Sequence, residues 1–377
     1  MRIAIDSRMG HFRVGVGVYV RGLLKGLSSI DTENEYFIIV NKGKNADFVP
    51  TSDNFHVLYT NVTYSSYINR DLWEHFYLPL VLQQSRIDVY HGTNYVAPFF
   101  SKVPSVVTMF DMISFAAEDW YKPLSRYRVR MLIKMSAKKS RKIITGSVSS
   151  KKDIIRLLKV PEKKVEHIYV GIDNIFKPYN EQHKLDSIKI QYNIRDKFIL
   201  YVGSINPRKN LIRLIEAYNR LRPELKANYQ LVIAGMKGWK ADEVILKVKQ
   251  AGIENRIVFT GFVPEDDLPY LINAAEFLIF PSLYEGFGIP PLEAMACGTP
   301  VLASNTSCIP EIVGDAALLF DPYNVDEIAS AMYKALVKDN LRKSLVDKGF
   351  ERVKLFSWEE TARRTLELYR EVYETAK

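Results

Sequence analysis

The sequence predicts an α/β protein of two Rossmann-like, doubly wound parallel-sheet domains. Three observations lead there. The 377 residues are long for one hydrophobic core and comfortable for two. The first half alternates short β-branched or aromatic runs with segments of helical period, the pattern of successive βαβ units. After the polar run Asn180-Glu181-Gln182-His183-Lys184, which reads as a linker, the same alternation begins again.

In the first half the predicted strands are Ile3–Ile5, Tyr36–Val40, His56–Tyr59, Ile87–Tyr90, Ser105–Thr108, Lys142–Thr145 and Glu166–Tyr169. Gly15 and Gly17 precede an amphipathic helix whose apolar face carries Tyr19, Leu23, Leu24 and Leu27. Two such glycines form a turn and, by themselves, say little about a ligand. His91 is expected at the carboxyl end of the Ile87–Tyr90 strand, followed by Gly92. A histidine so placed either reaches a ligand or bonds the backbone as a structural group. Asp111 closes the next strand, where a buried carboxylate needs partners and loop amides can supply them.

From Leu124 to Lys142 the period is helical. Leu124, Tyr127, Met131, Leu132 and Met135 are expected on one face, with Arg126, Arg128, Arg130, Lys134, Lys138, Lys139, Arg141 and Lys142 supplying charge. Such a helix is either a solvated basic face or a surface for an anionic membrane.

In the second half the predicted strands are Phe198–Val202, Leu231–Gly235, Ile257–Val263, Phe277–Phe280 and Val301–Ala303. The first of these leads into Gly203-Ser204-Ile205-Asn206-Pro207-Arg208-Lys209-Asn210 and then a helix. Strand, glycine, basic pair and helix is an order suited to holding phosphate. Gly261-Phe262-Val263 ends another strand.

The most informative stretch is Glu285-Gly286-Phe287-Gly288-Ile289-Pro290-Pro291-Leu292-Glu293. Proline in a first helical turn sacrifices no hydrogen bond, so a helix opens near Pro290 and stops at Gly298. Glycines before a helix N-terminus let backbone amides approach an anion. Carboxylates beside a phosphate would repel it, so Glu285 and Glu293 should face its neutral parts; sugar hydroxyls are the natural partners. The last helix begins at the capping sequence Ser357-Trp358-Glu359-Glu360.

Composition narrows the function. A net charge of +9 favours an anionic partner: nucleotide-sugar, lipid phosphate, anionic membrane or nucleic acid. No nucleic-acid module is evident. The 2 cysteines, Cys297 and Cys308, fit neither a disulfide framework nor a metal-ligand spacing, which suits a reducing cytoplasm. No apolar run is long enough to span a membrane, and the chain enters a strand at once with no signal peptide.

The run Glu285 to Val301, with Glu285 and Glu293 separated by seven residues, resembles the signature of retaining GT-B glycosyltransferases of the group-1 type, family 4. The resemblance implies two domains facing across a cleft: residues 1–174, completed by a returning helix at 357–377, on the acceptor side, and residues 175–356 on the donor side. It implies that Glu285 holds donor-sugar hydroxyls and Glu293 the ribose. Arg208 and Lys209 would meet the diphosphate, joined by the amides around Gly286, Phe287, Gly288 and Ile289. Gly203 and Ser204 would lie beside the phosphates, Gly261, Phe262 and Val263 beside the base, and Gly15 and Gly17 near donor and acceptor. His91 would touch the donor sugar, and Asp111 would lie on the acceptor side. Relatives often carry histidine before this aspartate; here it is Phe110. No D-x-D motif is present, and the resemblance implies no metal or other cofactor. The implied donor is GDP-mannose, with a UDP-hexose second, and the implied acceptor a glycan or lipid-linked glycan of polysaccharide or lipopolysaccharide assembly. The enzyme would work in the cytoplasm, at most peripheral to the membrane. A GT-B epimerase or phosphorylase, or a non-catalytic membrane-binding scaffold, would share this fold.

Overall fold

The computed structural model describes residues 1–13, 15–60, 67–116, 123–195 and 197–376; the side chains of 67–68 and 123–125 lie outside the described residues. The chain divides into two compact units, Met1–Gly171 with Phe356–Lys377, and Ile172–Leu355.

The first unit is built on strands β1 (Arg2–Asp6), β2 (Glu35–Asn41), β3 (Phe55–Thr60), β4 (Val89–Gly92), β5 (Ser105–Thr108), β6 (Lys142–Thr145) and β7 (Val165–His167). Its sheet runs β3-β2-β1-β4-β5-β6-β7, with neighbouring strands parallel. The order reverses between β1 and β4, so the carboxyl ends of these two strands flank the switch point. Near-continuous apolar strands such as Ile3-Ala4-Ile5 are fully buried, as a sheet covered on both faces requires.

The Val16–Ile30 helix buries Tyr19, Leu23, Leu24 and Leu27, the expected face. Gly22 and Gly26, one turn apart, let it lie directly against Trp358, since a Cβ at either position would run into that residue. The closing helix, Trp358–Glu374, thereby belongs to the first unit. Its capping box is half formed. The Ser357 hydroxyl accepts from the Glu359 amide at 3.2 Å, but the Glu360 carboxylate is engaged by Arg363.

The second unit carries β8 (Lys197–Val202), β9 (Tyr229–Ala234), β10 (Ile257–Gly261), β11 (Phe277–Phe280), β12 (Val301–Ser304) and β13 (Ala317–Phe320). The order is β10-β9-β8-β11-β12-β13, again parallel throughout, with the reversal between β8 and β11. Leu278 pairs with Leu200, so the loops leaving β8 and β11 start side by side.

Four expectations are corrected. Strand β4 lies two residues later than Ile87–Tyr90, because Ile87 is still bonded to Leu82 at the end of the preceding helix. His91 and Gly92 are therefore inside the sheet, with His91 paired to Ile5 and Val106. The presumed linker is partly a helix, Gln182–Gln191. β13 was not expected at all. Finally, the basic helix ends at Lys139, and its Tyr127, Met131 and Met135 are exposed while Leu132 and Ile133 are buried. Leu124 belongs to that helix, but its side chain lies outside the described residues.

Candidate active site

Two loops meet at the switch point of the second unit. The first leaves β8 through Gly203, whose φ of 149° and proximity to the Tyr201 hydroxyl leave no room for a Cβ. It passes Ser204, which accepts a hydrogen bond from Asn206 Nδ2 at 3.0 Å, and makes a 3₁₀ turn over Pro207–Lys209. Asn210 then takes a left-handed conformation (φ 60°) and donates from Nδ2 to the carbonyls of Pro322 and Pro281 at 2.7 and 3.2 Å. This anchoring fixes the direction of the two preceding cations.

The second loop leaves β11 and reaches Glu285. Its main chain is tied to the first loop by Leu283 N donating to Arg208 O at 2.9 Å. Ser307, itself at φ 58°, donates from Oγ to Glu285 O at 2.6 Å and accepts from Glu285 N at 3.1 Å. The buried Cys308 thiol bonds the carbonyls of Glu285 and Phe287 at 3.2 and 3.1 Å. Gly288 caps the Ile289–Ala296 helix at φ 96°, with Pro290 and Pro291 in the first turn. Gly298, at φ 75°, follows the helix end. The amides at the start of this helix precede its first internal hydrogen bond and point out of it.

These supports bring three expected residues into contact. The Glu285 carboxylate takes Lys209 Nζ on Oε1 at 2.6 Å and Arg208 Nη1 on Oε2 at 2.5 Å. Arg208 also donates to Tyr284 O at 2.6 Å. Glu285 is buried, and burial alone would raise its pKa. Lys209 and Arg208 outweigh that and hold it down at about 2. The cluster therefore contains a permanent carboxylate bridging two cations, one net positive charge at the mouth of a helix.

Glu293, on the inner side of that helix, differs. It is 7% exposed, and among the described residues no hydrogen bond to its carboxyl is found. Burial, with Glu265 and Asp173 nearby, raises its pKa to about 8, so at neutral pH it is largely protonated. Gly261, at φ 71°, ends β10; Phe262 after it is exposed and Val263 buried, so this turn presents an aromatic ring.

In the first unit the expected residues separate. Gly15 (φ 55°) has the open conformation that favours glycine and nothing near a Cβ. Gly17 instead sits against the Phe12 carbonyl, so its role is close packing. His91 has no exposed surface. Its Nδ1 is bonded to the Tyr369 hydroxyl at 2.5 Å and its Nε2 to Thr108 Oγ1 at 2.7 Å. Burial lowers its pKa to about 3, against a smaller opposing effect of Asp6. With both nitrogens engaged inside the sheet, the ring takes the structural of the two arrangements expected for it. Asp111 accepts from the Ile113 amide at 3.0 Å and from the Tyr95 hydroxyl at 3.1 Å, the loop-bonding arrangement.

Asp111 nevertheless lines a cavity of about 210 Å³ with Asp6, Arg8, Glu74, Tyr95 and Ser114. Arg8 is 2% exposed and donates to both Asp6 oxygens, at 2.9 and 2.6 Å, and to Glu74 Oε1 at 2.7 Å. Glu74 Oε2 and Ser114 Oγ are buried without a hydrogen-bond partner among the described residues. Sequence reasoning missed Arg8, Glu74, Ser307 and Cys308. The signal available for Arg8 and Ser307 was their place just past the carboxyl ends of β1 and β12, the edge that binds ligands in such sheets. Among the described residues no group of three or more His, Cys, Asp or Glu is arranged to hold a metal ion.

The fold defines the class first. Over the whole of both chains the structure resembles sucrose-phosphate synthase from Thermosynechococcus elongatus (TM-score 0.79, 22% identity). It also resembles WaaG, a glycosyltransferase involved in lipopolysaccharide biosynthesis, over 98% of this chain and 99% of that one (TM-score 0.76, 18% identity). Two Rossmann-like parallel-sheet units of this kind are the GT-B fold. The model for Glycosyltransferase Family 4 matches residues 14–174, and that for Glycosyl transferases group 1 matches residues 184–352. The O-antigen chain mannosyltransferase B of Escherichia coli is 35% identical over 283 residues, 75% of this chain and 74% of that protein. The chain belongs to the group 1, family 4 glycosyltransferases.

Proposed function

We propose that the protein is a retaining hexosyltransferase that uses a nucleoside-diphosphate sugar, with GDP-mannose as the first choice of donor and a UDP-hexose as the second. The acceptor is a hydroxyl of a glycan or lipid-linked glycan in cell-surface polysaccharide or lipopolysaccharide assembly. The observation that carries the reading is the Glu285 carboxylate bridging Arg208 and Lys209 beside the Gly288–Ile289 helix start. The 35% identical relative is named a mannosyltransferase of O-antigen chains, which supports the choice of sugar and pathway.

In this reading the donor's diphosphate meets Arg208, Lys209 and the amides of Gly288 and Ile289. The base lies beside Gly261, Phe262 and Val263, the ribose beside Glu293, and the sugar hydroxyls beside Glu285. Gly203, Ser204, Gly286 and Phe287 shape the phosphate loop. The bond between anomeric carbon and diphosphate oxygen breaks, and its electron pair leaves with the diphosphate. Arg208 and Lys209 stabilise the new charge; one preorganised donor of this type is worth about 3 kcal/mol in a transition state. The acceptor oxygen bonds the same face of the carbon, and its proton passes to a phosphate oxygen of the donor. No metal takes part. His91 supports the sheet and carries no step. Gly15 lies near donor and acceptor, and the cavity at Asp111, Arg8 and Glu74 suits a hydroxyl-rich acceptor, because its three guanidinium groups (Arg8, Arg70, Arg128) match its three carboxylates (Asp6, Glu74, Asp111) in charge.

The exposed Tyr127, Met131 and Met135 stripe lies on a helix that also carries Arg130, Lys134 and Lys138. Apolar and cationic side chains on one exposed helix suit the surface of an anionic membrane, which would place the enzyme peripherally on the cytoplasmic face. No helix among the described residues is long and apolar enough to cross a membrane.

A thermal-shift screen with GDP, UDP and ADP and their sugars tests the donor reading. A selective rise in melting temperature with GDP and GDP-mannose is expected; no response to any nucleotide would sink it. Anomeric configuration of the product, read by NMR, tests retention.

A further inference from the structure

The first unit holds a second cationic concavity that the reaction above does not use. It has a volume of about 410 Å³, within the range of roughly 300–1,000 Å³ that small-ligand sites occupy. Five cations line it: Lys102, Lys138, Lys139, Arg141 and Lys164. No Asp or Glu is among its lining residues. Its walls come from the segment entering β5, the end of the Pro123–Lys139 helix, the segment entering β6, the turn before β7 and Ala376 just past the closing helix. The segments entering β5, β6 and β7 are the amino ends of parallel strands. The cavity is therefore at the opposite edge of the sheet from Asp6, Arg8 and Asp111.

Three features distinguish it from an ordinary charged face. Among the described residues, none of Lys102, Lys138, Lys139 and Arg141 forms an ion pair. The adjacent Lys142, by contrast, reaches Glu371 at 2.7 Å. The fifth cation is fixed in place, since half-buried Lys164 donates from Nζ to Lys138 O at 3.0 Å. Burial, and to a lesser degree the neighbouring Arg141, lower its pKa. The carboxyl end of the helix offsets about half a charge, against five. The rest of the wall is small or apolar, with Ser105, Ser140, Val103, Pro104 and Ala376, and leaves space for a bulky anion.

We propose that this cavity is an anion site for a ligand bearing a phosphate or diphosphate group, built wholly from the first unit and separate from the Arg208–Lys209 cluster of the second. Several converging lysines and one guanidinium suit a multiply charged tetrahedral oxyanion better than a single carboxylate. The phosphate can belong to a lipid headgroup or to a free phosphorylated compound, and the test separates the two.

Inorganic pyrophosphate is titrated by calorimetry into the full-length protein carrying Arg208→Ala, which weakens the other cationic cluster, and into the same protein with Lys139→Glu and Arg141→Glu added. The first binds pyrophosphate, more weakly as salt rises; the second binds at least about tenfold more weakly, equivalent to about 1.4 kcal/mol. An unchanged melting temperature and an unchanged response to nucleoside diphosphate, both measured with Arg208 restored, show that the charge reversals spare the fold and the donor site. A parallel arm sediments the protein with phosphatidylglycerol vesicles and with phosphatidylcholine vesicles. Retention on the anionic vesicles alone, displaced by pyrophosphate and lost in the Lys139→Glu/Arg141→Glu protein, identifies a lipid headgroup. Pyrophosphate binding without vesicle retention identifies a free ligand. Equal pyrophosphate affinity with and without the charge reversals, or binding of neither probe, overturns the proposal.

Discussion

Lys209 Nζ lies 2.6 Å from Glu285 Oε1, and this pair joins the loop after β8 to the loop after β11. The Lys209 and Glu285 side chains are each about nine-tenths buried. Arg208 completes the cluster on the other carboxylate oxygen. Without a ligand, Glu285 supplies the negative charge that the two cations require. A diphosphate would supply it in the liganded enzyme.

That exchange makes Glu285→Gln informative. Removing one partner of a buried ion pair typically costs about 3–5 kcal/mol, because the other charge stays behind. The unliganded variant should therefore melt lower than the native protein. Nucleoside diphosphate should rescue it more than it stabilises the native enzyme, since the cations are no longer neutralised from within. Sugar transfer should fall by at least about a hundredfold, a loss of roughly 3 kcal/mol in the transition state. Calorimetric titration and initial rates check both parts. Near-normal turnover in a folded variant removes Glu285 from the reaction.

Glu293 should make stability depend on pH in the opposite sense from a salt-bridged acid. Its pKa is about 8 in the folded chain and near 4.5 when unfolded. Between those values the folded state holds the extra proton, so stability is fully present below about pH 4.5 and declines as pH rises toward 8. The full decline is on the order of 5 kcal/mol. Glu293→Gln keeps the shape and cannot ionise, so its melting temperature should exceed that of the native protein at pH 8.5 and converge with it near pH 5. Parallel curves for the two proteins from pH 5 to 8.5 contradict the assignment.

How far the sequence revealed this site depended on the kind of information each residue carries. Glu285, Gly288, Pro290 and Glu293 sit in one continuous string, and Arg208 and Lys209 follow a strand and a glycine, so local chemistry exposed them. The meeting of the two loops follows from parallel-strand topology at a reversal of strand order. Ser307 and Cys308 act only by bonding the main chain of another loop, and nothing in their local pattern announces that. His91 was misplaced because apolar Ile87 and Val89 fit a strand equally well one step earlier. A two-residue shift in register moved the imidazole from the strand end into the sheet. The period identified a helix, but the expected face grouped Leu132 with Tyr127, Met131 and Met135, and only Leu132 of these four is buried, because periodicity cannot say which part of a face turns toward the core.

His91→Ala should be a stability variant. The change leaves the Tyr369 hydroxyl without the ring, while Thr108 keeps its bond to the Tyr19 hydroxyl at 3.1 Å; a buried polar group left unbonded costs about 1–3 kcal/mol. Because the folded pKa of about 3 is below the unfolded 6.5, the native histidine favours folding fully above pH 6.5 and loses that contribution as pH falls toward 3. Native and variant stabilities should thus differ most at neutral pH and approach each other in acid. At a temperature where both are folded, kcat should change by less than about tenfold. A loss of several thousandfold without a fall in melting temperature would return His91 to catalysis.

Gly26→Val should detach the closing helix. Gly26 lies under the Trp358 main chain and the Ala362 Cβ, and Gly22, one turn earlier, lies under the Trp358 indole. Even a methyl group at residue 26 overlaps the backbone of Trp358, which cannot yield as a flexible side-chain tip could. Trp358 is also packed against Gly171, so it has no free direction in which to retreat. Overpacking a core of this rigidity costs about 1–3 kcal/mol, and β-branching adds a penalty of a few tenths within the helix. The expected result is a lower melting temperature together with faster amide exchange across Trp358–Glu374. Exchange in β8–β13 should be unchanged, because those strands belong to the other unit. Uniform acceleration in both units would show that the helix is not a local element of the first.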